Sequence, residues 1–103
     1  MTDLEDCCAE GSGNPEEAVA MFQDFMGTSL KPGALDVVTK RLMAISLGLA
    51  VHCTHCVRIH LKQAKDMGIS MEEIDEAVSL ATAFSGCRAL MLFREIKLEV
   101  FGK

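Results

Sequence analysis

Apolar residues recur every three or four positions along most of the chain. No stretch alternates apolar and polar residues over a sustained run, so the pattern predicts helices and no strands. Asn14 offers an N-cap, Pro15 suits the first helical position, and Glu17 completes a capping-box-like pair. These signals predict a first helix over about 14–27 that buries Val19, Phe22 and Met26. Thr28 to Gly33 breaks it, with Pro32-Gly33 as turn punctuation. A second helix is predicted over about 34–50, with Asp36, Lys40 and Arg41 outside in its first half and an apolar surround from Leu42 to Val51. A third covers about 53–67 and stops at Gly68. Ser70 with Glu73 caps a fourth, whose stripe is Met71, Ile74, Val78, Ala81 and Ser85. Ser85-Gly86 ends it, and a fifth runs over about 88–101. The fold class predicted is all-α, a small bundle of about five helices. Residues 1–13 read as a flexible acidic lead-in and 14–103 as one helical domain.

Half of the 103 residues are apolar, and mean hydropathy is +0.24. A chain of this length buries only about two-thirds of the surface its unfolded form exposes. A helix that is apolar all round and a short greasy chain together predict a homo-oligomer. Trp and Tyr are absent, so aliphatic residues and Met would fill the core; Met21, Met26, Met43, Met67, Met71 and Met91 read as core filling.

Charge is unevenly placed. Asp3, Glu5, Asp6, Glu10, Glu16 and Glu17 precede any base, and the remainder carries 10 bases against 9 acids. No basic stripe is present, which argues against a nucleic-acid partner. The longest charge-free run, Leu42 to Val57, is 16 residues, short of the ~20 a membrane span needs. No targeting segment is visible, so a cytoplasmic, reducing location is expected and the five Cys do not read as a static disulfide framework.

The chemistry-bearing stretch is His52-Cys53-Thr54-His55-Cys56-Val57-Arg58-Ile59-His60, a C-x-x-C-x-x-x-H pattern. On a helix, Cys53, Cys56 and His60 fall within about 60° of one another. They share that side with Val57, Ala64 and Met67, while His55 falls roughly opposite, with Arg58 and Lys62 on the polar face. Both cysteines lie in the first turn, where free N–H groups and the helix dipole favour an anion by about 0.3–1 kcal/mol, rising to ~2 when partly buried. That is roughly one unit of thiol pKa, enough to populate a nucleophilic thiolate near neutrality. A disulfide could close across the turn, with His60 to carry the proton. Two other readings compete. One is a zinc or sensor site on Cys53, Cys56 and His60, with His52 or Cys87 as fourth ligand. The other is two core cysteines with a satisfied histidine. Cys7-Cys8 read as incidental and Cys87 as a small buried residue.

These residues resemble the alkylhydroperoxidase D-like, or carboxymuconolactone decarboxylase-like, superfamily. The likeness rests on Leu42 to Val51 running into Cys53-Thr54-His55-Cys56-Val57-Arg58-Ile59-His60, on Gly68 to Ala77, and on Ser85-Gly86-Cys87-Arg88-Ala89-Leu90. The resemblance implies an all-α fold assembled as trimers or hexamers. It implies a peroxidase or thiol–disulfide oxidoreductase acting on a small peroxide or organic substrate. No tightly bound cofactor or metal is implied; a dihydrolipoyl-type dithiol would be the electron donor, and a peroxiredoxin or lipoyl protein a partner. By the same resemblance Cys56 would be the attacking thiolate, Cys53 its resolving partner, and His60 and His55 members of a proton relay. Relatives without the cysteine pair, which act on a small organic acid, are the alternative. The family usually carries a Glu 12 residues before the first cysteine; here that position is Arg41. An arginine stays protonated and cannot be a base. This weighs against efficient peroxidase turnover and leaves disulfide exchange open, with Arg41 able to stabilise a thiolate if it faces the site.

Overall fold

The computed structural model describes residues 14–103. Among them are five helices and no strand: α1 (Pro15–Ser29), α2 (Val37–Ala50), α3 (Thr54–Asp66), α4 (Met71–Ser85) and α5 (Cys87–Phe101). The chain divides into two units, one ending at Leu30 and one spanning Lys31–Lys103. The sequence reading of Cys7 and Cys8, and of the acidic lead-in, lies outside the described residues.

In the first unit, α1 begins where Asn14 Oδ1 accepts the amides of Glu16 and Glu17 at 2.9 and 3.4 Å. Its apolar residues depart from expectation. No residue of α1 is buried; Val19, Phe22 and Phe25 are exposed, and Met26 is half-buried. The periodicity gave the helix and its apolar side, but periodicity carries no information on what covers that side.

The second unit holds the core. Helix α2 packs against α3, α4 and α5, and α5 also packs against α3 and α4. Ile45 and Leu49 of α2 meet Val57, Leu61 and Ala64 of α3, Ile74, Val78 and Ala81 of α4, and Leu92, Phe93 and Ile96 of α5, all buried. The capping box at α4 forms as the sequence predicts: Glu73 N–H donates to Ser70 Oγ at 3.1 Å, and Ser70 N–H to Glu73 Oε1 at 3.0 Å. Gly68 and Gly86 adopt φ of +76° and +88°, which suits residues without a Cβ at these helix junctions. Across the bundle Ser46 Oγ donates to Ala77 O at 2.8 Å, tying α2 to α4. Arg58 Nε and Nη2 grip Glu99 at 2.6 and 3.1 Å, tying α3 to α5.

The methionines do not fill the core as composition suggested. Met21, Met43, Met67 and Met91 are exposed, and Met71 alone packs partly against the buried cluster. The apolar surround of α2 divides in two. Ile45, Gly48 and Leu49 face inward, whereas Met43, Leu47 and Val51 are exposed in the single chain.

The tightest approach is between α2 and α3. A Cβ on Gly48 would sit 3.2 Å from Val57 Cγ2 and 3.4 Å from Cys56 Cβ. Val57 is fully buried and has little room to retreat. Gly48→Val, which adds bulk beyond that Cβ, is expected to cost about 1–3 kcal/mol by overpacking. A urea midpoint unchanged from the parent would show that α2 and α3 do not meet here.

Candidate active site

Helix α2 ends at Ala50, and the connection to α3 is Val51-His52-Cys53. His52 takes φ +59°, a left-handed conformation that lets the chain reverse within three residues. The reversal returns Cys53 N–H to Gly48 O at 2.8 Å. Cys53 is thus the N-cap of α3, one position earlier than a first-turn residue. Its Sγ accepts the Cys56 N–H at 3.2 Å. One of the donors that a helix start leaves unpaired is therefore aimed at a sulfur.

Cys53 and Cys56 are joined as a disulfide, with Cα atoms 5.3 Å apart. Both are half-buried, between the solvent-exposed Thr54 and His55 and the buried Val57. One turn beyond Cys56, His60 is the one buried polar side chain among the described residues, at 7 % exposure. His55 is exposed at the rim of α3, whereas His60 is buried and Cys53 and Cys56 are half-buried.

Arg41 meets His60. Its Nη1 lies 2.6 Å from His60 Nδ1. Burial lowers the Arg41 pKa. Arg41 Nε is buried with no hydrogen-bond partner, a state that costs about 1–3 kcal/mol. His60 is pushed below its ordinary value, first by burial and then by the Arg41 charge. The sequence pointed to Arg41 as a departure from a family pattern. Its hydrogen bond to His60 was not legible there, because it depends on how α2 registers against α3.

The other candidates lie apart. Cys87, expected to be a small buried residue, is an exposed free thiol at the first position of α5. Among the described residues no three His, Cys, Asp or Glu side chains gather in a metal-binding arrangement. Neither His52 nor Cys87 thus completes a zinc site with Cys53, Cys56 and His60. A groove of about 570 Å³ lies between α2 and α4, lined in part by Met43, Leu47, Glu73 and Leu80; the cysteines do not line it. No helix among the described residues is long and apolar enough to cross a membrane.

The sequence profile of the carboxymuconolactone decarboxylase family matches residues 16–96, and the chain belongs to that family. The fold is similar to the crystal structure of an apo carboxymuconolactone decarboxylase family protein from Legionella pneumophila. That likeness has a TM-score of 0.75 and 31 % identity, and covers 84 % of this chain and 77 % of that one. An uncharacterized protein of the cox locus of Paracoccus denitrificans is 39 % identical over 49 residues, which are 48 % of this chain and 44 % of that protein. An uncharacterized protein of Cupriavidus necator is 28 % identical over 78 residues, 76 % of this chain and 68 % of that one. The chain thus matches less than half the length of the Paracoccus denitrificans protein.

The depressed His60 pKa has a consequence for stability. Between the folded value and the ordinary value near 6.5, the unfolded chain binds the proton that the folded chain refuses. Stability should therefore be highest above about pH 6.5 and fall as pH drops through that window. The lowered carboxylates Asp36 and Glu99 act further down, below about pH 4.5. Urea midpoints between pH 8 and 5 should decline for the parent protein and run flatter for His60→Asn. Parallel curves would place the titrating group elsewhere.

Proposed function

We propose that this protein is a thiol-dependent oxidoreductase in which Cys53 and Cys56 cycle between dithiol and disulfide. The observation that carries the reading is the half-buried disulfide at the start of α3, with one sulfur at the N-cap and His60 one turn on. The oxidant is a hydroperoxide or a protein disulfide, and the reductant a small or protein-bound dithiol.

In the oxidative half, the Cys56 thiolate attacks the O–O bond of a hydroperoxide. A Cys56 S–O bond forms, and the alkoxide leaves as the alcohol after taking a proton. The Cys53 thiolate then attacks that sulfur, closing the S–S bond and expelling hydroxide, which leaves as water after taking a proton. In the reductive half, one thiolate of the donor attacks Cys56 and expels Cys53. The donor's second thiolate closes its own disulfide and expels Cys56. The balance is one hydroperoxide and one dithiol giving alcohol, water and one disulfide.

The cap geometry supports the reductive half. The Cys56 N–H aimed at Cys53 Sγ stabilises negative charge on that sulfur, and a lower-pKa thiol is the better leaving group. Attack at Cys56 is thereby favoured, and Cys56 carries the mixed disulfide. His55, exposed at the rim, exchanges protons with solvent in this scheme.

Thiol-driven peroxide consumption should fall to the uncatalysed background in Cys56→Ser. Cys53→Ser should instead hold a mixed disulfide with an aromatic disulfide probe at Cys56, visible by mass spectrometry. Activity that survives loss of both cysteines would contradict the redox reading and favour a cysteine-independent reaction on a small organic acid.

A further inference from the structure

The contact between Arg41 and His60 fixes more than a position. A guanidinium carries five N–H donors and no acceptor. At 2.6 Å from Arg41 Nη1, His60 Nδ1 must therefore present its lone pair. A neutral imidazole with an accepting Nδ1 carries its proton on Nε2. We propose that Arg41 is a positioning residue that locks His60 as the neutral Nε2–H tautomer, making the histidine one turn from the disulfide a fixed proton donor rather than a base. This deepens the dithiol–disulfide reading and rests on it.

The surroundings agree. His60 is buried, so a second charge beside Arg41 would be poorly solvated. Of the elements packed on α3, α2 brings Arg41 to the ring. Helix α5 brings Glu99, whose carboxylate is gripped by the Arg58 guanidinium and also feels Lys62. No carboxylate among the described residues bonds to His60, so the acid that would hold a histidine in the opposite tautomer is missing there. A ring held this way can give its Nε2 proton to a departing thiolate or alkoxide and be reprotonated at the same atom. It offers no lone pair for drawing a proton off Cys56. The site is thereby biased towards protonating leaving groups and away from generating its own nucleophile.

Two-bond ¹H–¹⁵N correlation spectra of the oxidised, ¹⁵N-labelled protein test this without any turnover. His60→Gln identifies which ring pattern belongs to His60. The parent protein should show that ring as the neutral Nε2–H form at pH 7. Arg41→Lys retains a donor and should keep the pattern, as a merely structural role for the guanidinium would not require. Arg41→Glu places an acceptor against Nδ1 and should move the proton there, freeing Nε2 as a base. Peroxide consumption at pH 7–8 should then rise roughly 10- to 1000-fold, since base assistance of about 10²–10⁴ outweighs about tenfold lost in thiolate fraction. An Nδ1–H or doubly protonated ring in the parent overturns the proposal. So does an Arg41→Glu protein whose tautomer does not move, or one whose tautomer moves with no change in rate. If the tautomers behave as stated but the double cysteine variant stays active, the redox reading fails and the lock stands.

Discussion

The site depends on how closely α2 approaches α3, and that approach depends on Gly48 having no side chain. With a hydrogen at this position, the end of α2 lies against Val57 and Cys56, and the Gly48 carbonyl takes the Cys53 amide. Cys53 is thereby held as the cap of α3 and Cys56 is placed one turn away with its amide on the Cys53 sulfur. The same pairing of helices, followed back along α2, brings Arg41 alongside His60. One close contact thus fixes the disulfide, the N–H that polarises it and the cation that controls the histidine.

Those arrangements are costly in isolation. His52 is held in a left-handed conformation, Arg41 keeps a buried N–H without an acceptor, and His60 sits where its charged form is disfavoured. The first two cost on the order of 1–3 kcal/mol each, and such features persist only where surrounding packing over-determines them. Here the packing is the continuous apolar cluster around Ile45, Leu49, Leu61, Ile74 and Ile96, fully or almost fully buried.

The helices were largely legible because their ends are written in local chemistry. Asn14, the Ser70–Glu73 pair, Gly68 and Gly86 act within a turn of where they stand, and boundaries follow from them. Asp36 and Cys53 were harder. Each reads equally well inside a helix, and it is the accepted amides of Thr39 and Cys56 that make them caps. The pairing of Cys53 with Cys56 followed from their spacing of three residues. Burial did not. The exposure of Phe22, Met43 and Cys87 depends on which elements lie across from them, a tertiary fact that periodicity does not carry. The Arg41–His60 bond belongs to the same class: its partners are 19 residues apart on two helices, and only their register brings them together.

The proposed chemistry requires Cys53 and Cys56 to be a reversible couple rather than inert core sulfurs. The most direct measurement is equilibrium titration of the purified protein in dithiothreitol buffers of graded redox poise, with free thiols alkylated and peptides mapped at each point. A reversible couple gives a single two-electron transition in which the Cys53 and Cys56 peptides pass together from alkylated to cross-linked. Two thiols that remain alkylatable across the whole range, or that pair with other cysteines instead, would contradict it.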